Sequence, residues 1–295
     1  MNSDKITEQQ NPASSRIDEQ SVSEILEIIN GEDIGVPLAV QKSLPLIEVF
    51  INELAPRFRD GGCLFYVGSG TSGRLGVLDA AECPPTYRTD PEMVQGIIAG
   101  GYDALVRSIE GAEDCLGDGA QVVSDHNITA NDTVMGITAS SSTPFVLGAL
   151  KESKKIGALT GLIVCNKLPH LEYVDHMISL IVGPEVIAGS TRMKAGTATK
   201  LVLNMITTTL MIKLNKTYGN LMVDLKASNK KLWDRGTRII VHLTGLDYED
   251  SLQLLKSANG EVKTAIIMKK KNCTYEEGVQ LLQNVSGSLK NALIS

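Results

Sequence analysis

Two stretches of this 295-residue chain carry glycines and hydroxyls in the pattern that a bound anion needs. The first is Gly68-Ser69-Gly70-Thr71-Ser72-Gly73-Arg74, at the end of the apolar run "CLFYVGS" (63–69). The second is Ser140-Ser141-Ser142-Thr143, after "DTVMGITA" (132–139), with Pro144 as the first residue of a helix. Glycines let backbone N–H groups approach an anion, and Ser and Thr hydroxyls add donors that rotate to meet it. Neither nucleotide fingerprint fits. A Walker loop needs Gly-Lys-Ser/Thr, and the first loop has no Lys. The Gly68-x-Gly70-x-x-Gly73 spacing matches the dinucleotide expression, but the next strand-like run (94–100) does not end in an acid for a ribose. A plain strand-to-helix turn would account for one such loop. Two of them favour a phosphosugar, with Ser69, Thr71, Ser72, Ser140, Ser141, Ser142 and Thr143 as its candidate ligands.

Acids and bases stand near these loops in sequence. Glu82 closes the stretch "LDAAE", and by spacing alone it is a helix-end residue, with Pro84-Pro85 stopping the helix. Its apolar neighbours Ala80, Ala81 and Cys83 predict burial, the setting in which a carboxyl can act as an acid near neutral pH. Glu113 shares its neighbourhood with Glu110 and Asp114, and the residues alone do not choose among the three. In "GSTRMKAGTATK" (189–200), Ser190 and Thr191 are placed to cap the following helix. Arg192 and Lys194 are placed to face a ligand or to pair with Glu82 or Glu113. The four histidines (126, 170, 176 and 242) fall in no motif and read as surface or structural.

Five near-continuous apolar runs (63–69, 94–100, 132–139, 159–166 and 176–182) alternate with helical stretches. Runs of that kind are strands buried on both faces of a parallel sheet, so the fold expected is α/β, three-layered and doubly wound. Helical patterns precede it at 22–30 and 36–58, and a strong helix follows over 195–214. From about Leu243, three short helices form a small unit, with Thr274 and Glu277 as a capping box and Asn259-Gly260 as a break and restart. The division expected is an arm and helices (1–60), a ligand-binding domain (61–242) and the small helical unit (243–295). Residues 1–20 read as an arm that is ordered only by docking.

Composition narrows the rest. The balance of 28 basic and 34 acidic side chains gives a net charge of −6, which argues against general nucleic-acid binding. Five scattered cysteines indicate neither a disulfide framework nor a zinc site. The polar "MNSDKITEQQNPASS" has no apolar signal core and no apolar run reaches a membrane span, so a cytoplasmic location without membrane association is expected.

Four long segments, "VGSGTSGRLGVLDAAECPPTY", "IAGGYDALVRSIEGAEDCLGDGA", "VGPEVIAGSTRMKAGTATKLVLNM" and "YGNLMVDLKASNKKLWDR", resemble the N-acetylmuramic acid 6-phosphate etherases. These are sugar isomerase (SIS) domain proteins of peptidoglycan recycling, and the likeness runs from about Thr7 to the C-terminal helices. It implies a SIS-type five-stranded sheet, a ubiquitin-associated-like C-terminal unit, a homodimer with its site near the subunit boundary, and no metal or nucleotide cofactor. It also implies cleavage of the lactyl ether to N-acetylglucosamine 6-phosphate and D-lactate. Ring opening puts the C2 proton α to an aldehyde and the lactyl oxygen β to it; elimination followed by hydration is then net hydrolysis, needing one base and one acid. By resemblance Glu82 is the acid that protonates departing lactate, and Glu113 handles the C2 proton or the incoming water. Ser190 and Lys194 join the substrate-binding set. One departure stands out: the family usually shows Ser-Gly-Arg-Thr-Pro where this chain has Ser140-Ser141-Ser142-Thr143-Pro144.

Three competing readings are weaker. A non-catalytic phosphosugar sensor needs neither Glu82 nor Glu113. A sugar-phosphate isomerase is not expected to carry "LDAAECPP" and "STRMKAGT" together, and a DNA-binding regulator lacks its basic N-terminal helix-turn-helix.

Overall fold

The apolar runs form strands because nearly every residue in them is buried: β1 (Leu64–Gly68), β3 (Thr133–Thr138) and β4 (Leu159–Val164) have no exposed position. With β2 (Val94–Ile98) and the short edge strand β5 (His176–Ser179) they make an all-parallel sheet of order β2-β1-β3-β4-β5. The computed structural model describes residues 5–294. Three single-turn 3-10 helices (Ile6–Glu8, Pro12–Ser14 and Ile17–Glu19) lead to α1 (Val22–Gln41) and α2 (Leu44–Arg59). Between the strands come α3 (Gly70–Tyr87), α4 (Asp103–Val106), α5 (Leu116–Asp125) and α6 (Pro144–Lys155); α7 (Lys194–Lys213) follows the sheet. The chain closes with α8 (Lys230–Thr244), α9 (Tyr248–Ser257), α10 (Val262–Lys271), α11 (Tyr275–Asn284) and α12 (Leu289–Ile294). Among the described residues no single helix is long and apolar enough to cross a membrane.

The fold is the expected three-layer α/β sandwich. Phe65, Val67, Val134, Leu162 and Val164 point to one face, where α5 and α6 cover them through Val123, Phe145, Val146 and Leu150. The opposite face meets α2 and α3: a Cβ on Gly161 would lie 3.1 Å from Phe50, and one on Gly76 would lie 2.8 Å from the Tyr66 Cβ. Two compact units divide the chain. One comprises the chain up to Ala81 with Pro91–Thr207; the other comprises Glu82–Asp90 with the chain from Thr208 onward. The second unit has its own apolar core of Ile239, Ile240, Leu255, Val262, Ile266 and Ile267, among others. Thr274 and Glu277 form the expected capping box, and Asn259 and Gly260 turn the chain with positive φ angles of 53° and 79°.

Two local expectations fail for identifiable reasons. The N-terminal helical patterns divide at Lys42-Ser43, not between 30 and 36. Gly31 and Gly35 have nothing within 4 Å of a would-be Cβ, so they cost α1 only propensity, about 1 kcal/mol each. Pro45 fits only a first turn, and the Ser43 hydroxyl donates to the Ser179 carbonyl at 2.7 Å, which fixes the break there. Likewise α3 does not stop at Pro84-Pro85 but continues to Tyr87. The helical φ of proline suits the last turn, and the carbonyl of Pro84 still receives the Arg88 N–H at 2.9 Å.

Asp79 ties the layers on the α3 face together. Its carboxylate accepts from the Tyr66 hydroxyl at 3.1 Å, from Thr207 at 3.3 Å and from Asn204 at 3.4 Å, and only 8% of the residue is exposed. Burial raises its pKa above the ordinary 3.8. A raised folded-state pKa contributes stability that is full below the unfolded value and is lost as pH climbs through the folded one. Asp79→Asn is therefore expected to lose less stability than wild type between about pH 4 and pH 7 in urea titrations. Equal losses would assign the pH dependence to other groups.

Candidate active site

The strand order places the two hydroxyl loops side by side. β1 and β3 are neighbours, and the outward connections from them diverge at that point, the crevice where open parallel sheets hold ligands. The turn after β1 is tight: a Cβ on Gly68 would fall 2.7 Å from the Gly73 nitrogen, and Gly70 has φ +49°. Only glycine permits that closeness, which delivers Ser69 to the mouth and starts α3 at Gly70.

Ser69 donates its hydroxyl proton to the Glu113 carboxylate at 2.5 Å. The contact brings Glu113 to the first loop, while Glu110 and Asp114 line the same cavity. The segment carrying Glu113 is held from both sides. Arg74 donates to the carbonyls of Leu105 and Arg107 at 3.1 and 3.0 Å, and the Glu113 carbonyl accepts from the Phe145 N–H in the first turn of α6 at 3.0 Å. Glu113 thus joins the first loop by its side chain and the second loop's helix by its backbone. A cavity of about 340 Å³ lies here, lined by Ser69, Arg74, Arg107, Ser108 and Glu113 among others. That volume lies within the ~300–1,000 Å³ of small-molecule sites.

In the second loop, Pro144 begins α6 as expected. Thr143 and Thr138 share a hydroxyl hydrogen bond at 2.8 Å, and Ser140 lies 3.4 Å from Thr138. Ser141 is unusual. It adopts φ +69°, is only 7% exposed, and its buried hydroxyl has no hydrogen-bond partner. A left-handed serine costs about 1–2 kcal/mol, and an unmet buried hydroxyl adds to that. Ser141→Gly is therefore expected to raise stability by about 1 kcal/mol, glycine's own entropy cost being the smaller term. A thermal midpoint that does not rise would contradict the strain. Ser142 is exposed and receives a hydrogen bond from the Lys5 ammonium at 2.7 Å.

The basic patch is organised differently from expectation. Lys194 is 3% exposed and pairs with Glu32, not with Glu82 or Glu113. That hydrogen bond chiefly, with help from the Asn11 amide, holds the Glu32 carboxyl below its usual range. The start of α7 is capped neither by Ser190 nor by Thr191. Glu185, fully buried, accepts from the backbone N–H groups of Lys194 and Ala195 at 3.0 and 2.9 Å. A carboxylate at a helix N-terminus satisfies orphan donors and meets the helix dipole, and one held by tertiary structure displaces a local cap. Glu185 lay inside "VGPEVIAGS", but nothing in its spacing announced this role. Burial, and then the Glu185 charge, push the Cys165 thiol up to about 12, so it stays protonated and is no nucleophile. Ser190 is half-buried, and Gly196 lets the first turn of α7 approach Thr71, whose methyl would meet a Cβ there at 3.4 Å. Thr71 and Ser72 occupy the first turn of α3, both half-buried.

Glu82 lies near the end of α3 and is exposed, as is Ala81, while Ala80 and Cys83 close to it in sequence are buried. The expected burial of Glu82 fails because successive helical residues point about 100° apart, so an apolar neighbour does not imply a buried one. Among the described residues no group of His, Cys, Asp and Glu could hold a metal.

Residues 46–154 match the family model described as the glucokinase regulatory protein N-terminal SIS domain. The matched stretch runs from α2 to α6 and includes three strands of the five-stranded parallel sheet, so this part of the chain is similar to a SIS domain. The N-acetylmuramic acid 6-phosphate etherase of Clostridium acetobutylicum is 53% identical over 91% of this chain and 89% of its own length. The protein of the same name from Salinibacter ruber is 52% identical over 90% of this chain and 86% of its own. A solved structure of a protein from E. coli CFT073 aligns with a TM-score of 0.46 at 18% identity, over 65% of this chain and 93% of that one. This chain belongs to the N-acetylmuramic acid 6-phosphate etherase family.

Proposed function

We propose that this protein is a carbon–oxygen lyase that cleaves the D-lactyl ether of N-acetylmuramic acid 6-phosphate, giving N-acetylglucosamine 6-phosphate and D-lactate, in cytoplasmic recycling of peptidoglycan amino sugars. The observation that carries the reading is the Ser69–Glu113 hydrogen bond inside a sugar-sized cavity at the mouth of the sheet. It supports the reading of Glu113 as a general base beside hydroxyl donors suited to a phosphosugar.

In the open-chain sugar, Glu113 takes the C2 proton and an enolate forms. Glu82 protonates the lactyl oxygen as the C3–O bond breaks, releasing lactate and leaving an unsaturated aldehyde. Water then adds at C3, and a proton returns to C2, restoring both carboxyl groups. The neighbourhood of Ser69, Thr71, Ser72, Ser140, Ser141, Ser142 and Thr143 binds the phosphorylated sugar. Ser141 donates the hydroxyl that has no partner in the protein, so its strain is held for the ligand. Ser190 contributes from the turn before α7, and Lys194 acts through Glu32 to hold that turn in place. The working form is a homodimer with its site near the subunit boundary. Exposed Val22, Leu26, Ile34 and Leu38 along α1 support an association surface.

Incubation with N-acetylmuramic acid 6-phosphate should release D-lactate in proportion to enzyme. Folded wild-type protein that released none would overturn the proposal.

A further inference from the structure

The hydroxyl loop Ser140–Thr143 contains no cation, yet the N-terminal arm brings one to it. The ammonium of Lys5 donates to the Ser142 hydroxyl at 2.7 Å across 137 residues of sequence. This contact is not left to a floating tail. The next residues are fixed: Thr7 is 1% exposed, and its N–H donates to the Asn166 side chain at 3.3 Å. Asn166 returns a hydrogen bond to the Thr7 hydroxyl at 3.1 Å and another to the Ala139 carbonyl at 2.9 Å. The Thr7 carbonyl accepts from the Gly189 N–H at 3.0 Å. The arm is therefore clamped onto the end of β3, one residue before the loop, and Lys5 lies two residues from the clamp. Ser141 in the same loop keeps a buried hydroxyl without a partner, which marks a donor set left incomplete by the protein alone.

We propose that Lys5 is a substrate-binding residue: its ammonium, with the hydroxyls of Ser140–Thr143 ahead of α6, holds the phosphate of the phosphosugar. The inference rests on the etherase reading for the identity of that sugar. A phosphate monoester suits this set. It offers several acceptor oxygens and nearly two charges, matching rotatable hydroxyls, a helix N-terminus and a mobile point charge. Ser142 serves as the perch that keeps Lys5 over the loop until the anion arrives.

The test is calorimetric binding of N-acetylglucosamine 6-phosphate, which has the phosphate but no lactyl carboxylate. Lys5→Met should weaken its Kd about tenfold or more, the worth of one charge-assisted hydrogen bond. Lys5→Arg should keep most of the affinity. The double variant Lys5→Met/Ser142→Arg should recover it, because an arginine on the loop supplies the cation without the arm. An unchanged Kd in Lys5→Met overturns the proposal. So does a loss that neither Lys5→Arg nor the double variant repairs, since the arm's docking would then be responsible. Lactate release by the wild type is read separately. Its presence alongside an unchanged Lys5→Met Kd sinks only the Lys5 assignment, whereas its absence sinks the etherase reading whatever Lys5 does.

Discussion

Glu113→Gln is expected to cut lactate release by about 10²–10⁴-fold, the usual contribution of a positioned general base. Glutamine keeps an oxygen to accept from Ser69, which now donates to the carboxylate at 2.5 Å. The loop geometry, fold and product affinity should therefore hold while turnover falls. That combination distinguishes lost chemistry from a lost site. Ser69→Ala should cost less, because the carboxylate survives and only its orientation loosens. Glu82→Gln should likewise lose turnover and keep binding, since an amide cannot protonate the departing lactate. If Glu113→Gln turned over at near wild-type rate, the base would have to be sought at Glu110 or Asp114, which line the same cavity.

The largest expected loss of stability lies at Glu185. Glu185→Ala strips the acceptor from two helix-terminal N–H groups whose residues are 3% and 1% exposed, so water cannot replace it. Two buried donors left unmet at about 1–3 kcal/mol each put the cost at about 2–6 kcal/mol. Glu185→Gln, which keeps one oxygen, should lose roughly half as much. Urea unfolding followed by circular dichroism measures both. A Glu185→Ala variant within about 0.5 kcal/mol of wild type would mean that the α7 start is held by other contacts.

Much of this architecture was legible because burial on both faces leaves a plain mark. Five near-continuous apolar runs read as strands, and they are the five strands of the sheet, with β1, β3 and β4 central and fully buried and β2 and β5 at its edges. Pro144, Thr274 with Glu277, and Asn259-Gly260 behaved as local chemistry dictates, since caps and turns depend on nearest neighbours. What escaped is what depends on partners far along the chain. The helix break at Ser43 is set by the Ser179 carbonyl, and Lys194 is neutralised by Glu32. Glu185 caps a helix that starts nine residues later, and Lys5 reaches a loop 137 residues away. The exposure of Glu82 shows the converse limit, for apolar neighbours in sequence lie on other sides of the helix.

The elimination–hydration account makes one demand that direct ether hydrolysis by attack at the lactyl carbon does not. Water must enter at C3 of the sugar, and lactate must leave with its original ether oxygen. Mass spectrometry of both products formed in water enriched in oxygen-18 reads this directly. The expected result is D-lactate without label and N-acetylglucosamine 6-phosphate carrying one labelled oxygen at C3. Label in the lactate hydroxyl, or no lactate at all, would contradict the account.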